Sequence, residues 1–380
     1  MGLPKVFGQN IDENCFKTGA DRPELYLPQL KGKKIGIVTN QTGVLKDRSH
    51  LVDFLFKNNI SIIRIFAPEH GFRGDADAGE HVKNGVDAKT NIPIISLYGD
   101  NKKPTALQMK GLDIVLFDIQ DVGVRFYTFI STLSYVMEAA AENGVEVMVL
   151  DRPNPHDGYI DGPVLEKKYS TFVGLHPVPI VYGLTIGEYG SMVNGENWLK
   201  NGVKAKYSVI PMQSYHKKQR YETLERPSPN LPNDKAINLY PSLCFFEGAE
   251  VSVGRGTDLP FQIYGSPYTK NLPYQFTPKP NFGSKDPPMN GDVCYGEDLS
   301  ETKEKLTEIN LNYLIKAYKN YKNPAKPFFL KNLWFDKLAG TDQLRKQIIA
   351  GKTAEEIKGS WQKDLQEFQK IRSKYVMYED

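Results

Sequence analysis

The sequence predicts an α/β protein, with a doubly wound, mainly parallel sheet in an N-terminal domain and a smaller α+β C-terminal domain. Three observations carry this expectation. Near-continuous apolar runs of strand length recur through the first half, segments of helical apolar spacing alternate with them, and the alternation stops near residue 225. At 380 residues the chain also exceeds the ~250–300 residues at which a single core stops growing. Two domains are therefore expected, 1–224 and 225–380.

The predicted strands are "KKIGIVTN" (33–40), "SIIRIFAP" (61–68), "IPIISLYG" (92–99), "DIVLFDI" (113–119) and "EVMVLDRP" (146–153). Their unbroken apolar character is that of strands covered on both faces. Between them, "SHLVDFLFKNN" (49–59), "TALQMKG" (105–111) and "FISTLSYVMEAAAENG" (129–144) have helical spacing and end on Asn or Gly. A helix at 185–199 and a strand at 205–212 complete the alternation. The proline-dense stretch "ERPSPNLPNDKAINLYPS" (225–242) reads as irregular chain at the boundary. Beyond it come short strands and turns in "FFEGAEVSVGRGTDLPFQIYGSPY", a Pro-rich loop, and helices at about 300–320 and 341–372.

Composition narrows the function. A formal charge of +3, from 48 Lys and Arg against 45 Asp and Glu, is too small to make nucleic acid the main partner. No run approaches the ~18 apolar residues of a membrane span, so no stable membrane insertion is expected. The N-terminal "MGLPKVFGQNIDENCF" has neither a charged n-region nor an apolar h-region. Cys15, Cys244 and Cys294 are widely spaced and lack CxxC pairing, against a structural zinc or a disulfide framework. Neither GxGxxG nor GxxxxGK[ST] occurs, which removes the best support for a nucleotide cofactor.

In open parallel sheets the ligand crevice lies outside the carboxyl ends of the strands. Those ends carry the chemistry here. Asn40, Gln41 and Thr42 in "TNQTG" suit the hydroxyl or amide groups of a sugar, or else cap the next helix. In "APEHGFRG", Glu69 follows an apolar strand, and burial against Phe66 and Phe72 would raise its pKa toward that of a general acid. His70 and Arg73 are placed to orient it or bind substrate, and a Glu69–Arg73 ion pair is the bland alternative.

Asp118 and Asp121 in "FDIQDVGVRFYT" supply a second carboxylate for glycosidic cleavage, with Arg125 and Tyr127 behind them. Alternatively, Asp118 caps the next helix and Asp121 pairs with Arg125. "LDRPNPHDG" adds Asp151, Arg152, Asn154 and His156 on a stiff loop, and Glu188 reads as structural at a helix start. In the second domain, Arg255 between two glycines would present a cation to an anionic group, with Glu247 and Tyr264 nearby.

Taken in order, "GIVTNQTGV", "APEHGFRG", "DIQDVGVRFYT", "LDRPNPHDG", "VPIVYGLTIGE" and "EGAEVSVGRGTDLPFQIYGSP" resemble the bacterial exo-β-N-acetylmuramidases of the NamZ family, over roughly 33–378. The resemblance implies a Rossmann-like N-terminal domain joined to the smaller C-terminal domain with the active site in the cleft between them, and release of N-acetylmuramic acid from non-reducing ends of peptidoglycan fragments in an exported compartment. It implies no redox cofactor, and it puts the family's proposed catalytic glutamate on Glu69. The second group would be Asp118, Asp121 or the substrate's own 2-acetamido group. The sugar's lactyl carboxylate needs a cation, for which Arg73, Arg125, Arg152 and Arg255 are candidates. Two rival readings are a non-catalytic peptidoglycan-sugar-binding protein and a metal-dependent hydrolase using His70, Asp75, Asp77 and His81, whose spacing matches no familiar metal motif.

Overall fold

A computed structural model describes residues 16–69, 71–73, 84–219, 221, 223–303 and 305–379. Strands β1 (Lys34–Thr39), β2 (Ser61–Ala67), β3 (Gly85–Val86), β4 (Pro93–Ser96), β5 (Ile114–Asp118), β6 (Glu146–Leu150) and β7 (Lys206–Ile210) form one sheet of order β3-β4-β2-β1-β5-β6-β7. All neighbours are parallel except the edge pair β3 and β4. The chain thus leaves β1 toward β2 and β4 on one side, then resumes at β5 on the other. This reversal makes the β1/β5 boundary the switch point where such sheets open a crevice.

Period-two alternation explains why the predicted strands are apolar throughout. Ile35, Ile37, Leu116, Met148 and Leu150 face one core with helices α1 (Pro23–Leu30) and α2 (Leu51–Lys57). Their neighbours Val38, Val115, Phe117, Val147 and Val149 face the other, beneath α4 (Phe129–Asn143) and α5 (Ile186–Gly195). The short α3 (Ala106–Met109) precedes β5 behind a Thr105/Gln108 capping box. Gly144, at φ 68°, ends α4 in the left-handed conformation that costs glycine least.

The second part carries α6 (Asp234–Leu243), an antiparallel sheet of order β8-β10-β9, and four further helices. Its strands are β8 (Ile263–Ser266), β9 (Tyr274–Phe276) and β10 (Cys294–Asp298); its helices are α7 (Asn312–Asn320), α8 (Trp334–Ala339), α9 (Gln343–Ile349) and α10 (Ala354–Arg372). The larger apolar core runs unbroken from Val38 to Phe368 and so is shared by both parts. Among the described residues, no helix is long and apolar enough to cross a membrane.

Three expectations about elements are corrected. The boundary stretch contains a regular helix, α6, because Pro227, Pro229 and Pro232 precede its N-cap, where no intrahelical bond is lost, and only Pro241 falls inside it, in the last turn. Asn233 caps it by accepting from Ala236 N at 2.9 Å. The helix expected over 341–372 is broken at Gly351, φ +75°, after which Thr353 and Glu356 cap α10. Of the helix expected over 300–320, only Asn312–Asn320 forms.

Candidate active site

Three strand ends meet at the switch point. Thr39 of β1 pairs in register with Asp118 of β5, and Val38 with Phe66 of β2. Asn40 and Gln41, Glu69, and Gln120 and Asp121 are therefore neighbours along one edge. Glu69, half-buried, is joined across this edge to the start of α4, where the Thr128 hydroxyl donates to its Oε2 at 3.1 Å. Thr128 occupies the N-cap position yet makes no capping bond, so its hydroxyl serves the carboxylate instead of the helix.

The β1 loop is tied to β5 by a short relay. Asn40 Oδ1 accepts from Thr42 N at 2.9 Å and Thr42 Oγ1 at 2.6 Å, and Thr42 Oγ1 in turn accepts from Gln120 N at 2.9 Å. Asn40 thus forms a local turn rather than capping α2, whose cap is His50, accepting from Val52 N through Nδ1. The other ring nitrogen of His50 donates to Asn40 O at 2.9 Å, and burial holds its pKa down, so the neutral ring fits both roles. Asn40 Nδ2, Gln41 Oε1 and Asp121 Oδ1 are buried without a hydrogen-bond partner among the described residues.

Asp121 is 4% exposed. Its Oδ2 accepts from Tyr182 OH at 2.5 Å and Gly123 N at 2.7 Å. Burial pushes its carboxyl up to about 6 against these hydrogen bonds and that of Val122. Gly123 is needed here: at φ +73° a Cβ would run into the Asn154 amide. Tyr127 donates its phenol to Pro227 O at 2.7 Å. Burial, followed by the negative fields of Asp121 and Glu69, raises the pKa of this phenol well above its ordinary value, which keeps it a donor.

The remaining predicted residues are committed to internal partners. Asp118, fully buried, receives Arg152 Nε at 2.6 Å and Arg152 Nη2 at 2.9 Å, so it caps no helix. Arg125 does not pair with Asp121. Instead its buried guanidinium donates to the carbonyls of Pro163, Val178, Leu338 and Ala339 at 2.7–3.0 Å, tying the first part of the chain to the end of α8. Arg73 pairs with Asp53 and Asp87 and lies over Phe72. Arg255 donates twice to Glu247 Oε1, at 2.9 and 2.5 Å. The Asn154 amide donates to Leu184 O and accepts from His156 N, and Tyr264 donates to Glu297. Glu188 is structural: it forms a capping box with Thr185 and a buried ion pair with Lys217 at 2.6 Å.

His70, Asp75, Asp77 and His81 lie outside the described residues. Among the described ones, no group of three His, Cys, Asp or Glu side chains is arranged to hold a metal ion. Sequence reading missed two participants. Thr128 was visible as a polar residue opening the 129–144 helix, but its partner lies 59 positions away. The other is the strap at 224–227, fixed over the strand ends by Gln41 Nε2 donating to Arg226 O at 3.1 Å and Pro227 O at 3.3 Å, and by Tyr127.

Comparison with known proteins bears on this arrangement. Residues 35–235 match the family model for the N-terminal part of the exo-β-N-acetylmuramidase NamZ, and residues 238–378 match that for its C-terminal part. The chain is 41% identical over 397 aligned positions to the peptidoglycan β-N-acetylmuramidase NamZ of Bacillus subtilis, covering 99% of this chain and 94% of that protein. Two crystal structures of DUF1343 family proteins from Bacteroides fragilis share the fold. They are 45% and 29% identical, with TM-scores of 0.88 and 0.79, and each match covers 96% of this chain and 99% of the other.

Proposed function

This chain belongs to the NamZ family of exo-β-N-acetylmuramidases and is a glycosidase, and from that premise we propose that it releases N-acetylmuramic acid from the non-reducing ends of peptidoglycan glycan fragments, with Glu69 as the catalytic carboxylate. The observation that carries the assignment is the Glu69–Thr128 hydrogen bond above the β1/β5 switch point. It holds a partly accessible carboxylate where the sheet opens its crevice.

Glu69 protonates the glycosidic oxygen as that oxygen's bond to the anomeric carbon breaks. Asp118 and Asp121, 0% and 4% exposed, are sealed beneath the loops and act by positioning. The reading therefore gives the attack on the anomeric carbon to the substrate's own 2-acetamido oxygen. Water then opens the resulting ring, with Glu69 taking the proton, so the sugar keeps its β configuration. The enzyme's working place in this reading is an exported compartment, where such fragments lie, and cell fractionation checks that address.

The test uses a disaccharide carrying β-linked N-acetylmuramic acid at its non-reducing end, with the corresponding 4-nitrophenyl glycoside alongside, both with and without chelator. The sugar leaving group needs the proton and nitrophenolate hardly does. Glu69→Gln should therefore lose roughly 10²–10⁴-fold on the disaccharide and far less on the nitrophenyl glycoside, with chelator changing neither. A folded protein that binds the saccharide and releases nothing would leave a binding protein instead.

A further inference from the structure

A muramyl sugar carries a carboxylate, and each arginine expected to meet it already has internal partners. Arg73, Arg152 and Arg255 are paired with carboxylates, and Arg125 holds four carbonyls. Among the described residues, an arginine without such a partner lies on the strap over Glu69's edge of the sheet. Arg226 is exposed and has no carboxylate partner among the described residues. Its neighbour Arg48, by contrast, is paired with Glu225 at 3.4 Å.

We propose that Arg226, set over the Phe282 ring, is the residue that recognises the lactyl carboxylate of the muramyl unit; this rests on the muramidase reading above. The position is built from both sides. Gln41, on the loop after β1, and Tyr127, whose phenol lies in the field of Glu69, grip the Arg226 and Pro227 carbonyls at 3.1 and 2.7 Å. The guanidinium carbon lies 5.1 Å from the centroid of the Phe282 ring, which is itself 60% exposed.

Phe282 is displayed on a pinned turn. Asn281 and Ser284 exchange backbone bonds, Asn230 Nδ2 donates to Gly283 O at 2.7 Å, and Asn281 Nδ2 donates to Thr257 O at 3.2 Å. Gly283, at φ +99°, packs against Pro229 where a Cβ would clash. An aromatic face under a guanidinium leaves its in-plane N–H fork open, and that fork matches a carboxylate's two oxygens. A fixed strap thus carries a preorganised anion receptor at the mouth of the crevice.

The test is a ligand-observed NMR titration of the full chain and its Arg226→Gln, Arg226→Lys and Phe282→Leu variants. The ligands are N-acetylmuramic acid, the same sugar with its lactyl carboxylate amidated, and N-acetylglucosamine. The wild type should prefer the free acid over the amide by roughly 10–100-fold, the worth of a charge-assisted pair. Arg226→Gln should bring that ratio near one. Arg226→Lys should keep part of it as a point charge, and Phe282→Leu should lower it by loosening the fork. Both side chains are exposed, and circular dichroism checks that the variants fold.

A wild type with no preference for the acid, or an Arg226→Gln variant that keeps it, overturns the proposal. Binding is read without turnover, so the two readings separate. Selective binding with no sugar released sinks the muramidase and leaves the receptor standing, whereas turnover with unchanged selectivity in Arg226→Gln does the reverse.

Discussion

Removing the Asp118 carboxylate distinguishes a reacting group from a positioning one. Asp118 and Arg152 are 0% and 4% exposed, bound through two hydrogen bonds of 2.6 and 2.9 Å, with Arg152 also donating to Val44 O at 3.0 Å. In Asp118→Leu that guanidinium stays buried without its counter-charge, which costs about 3–5 kcal/mol, and Arg152→Met strands the carboxylate at a similar cost. Replacing both together removes both desolvation penalties, so the double variant should be more stable than either single one, with a coupling energy of several kcal/mol. Urea unfolding followed by tryptophan fluorescence, from the chain's three Trp, measures all four species. At a temperature where the single variant remains folded, its turnover should exceed that of Glu69→Gln. An Asp118→Leu protein of wild-type stability with turnover abolished would refute the reasoning and return Asp118 to the chemistry.

Two further outcomes are expected. Arg125→Met removes the donor shared by four buried carbonyls and should cost more than about 4 kcal/mol; a variant of normal stability with a raised KM would make Arg125 a substrate ligand. Asp121 is an acid whose pKa rises from 3.8 unfolded to about 6 folded, so the folded state holds the proton more tightly. Its contribution to stability is full below about pH 4 and declines as pH rises through about 6, a loss of ~3 kcal/mol at 1.36 kcal/mol per pKa unit. Asp121→Asn should remove that decline. The similar one from Asp151, also raised to about 6 by burial, should remain in the stability–pH curve.

The alternation of apolar runs with helical segments was enough to locate every parallel strand and the row of loops at the strand ends, because hydrophobic period is a local property. It also put Glu69 in the loop just past the carboxyl end of β2, since an apolar run that stops at a proline marks where the strand ends. Proline density misled at α6, where the N-cap position of the preceding residue outweighed composition. The fate of the charged side chains was decided elsewhere. Arg152 meets Asp118 34 positions away, Thr128 meets Glu69 across 59, and Arg125 meets Ala339 across 214. A side chain's partner depends on which distant segments the shared core brings within hydrogen-bond reach, so only the packed chain distinguishes an arginine that ties the fold together, such as Arg125, from one left exposed, such as Arg226.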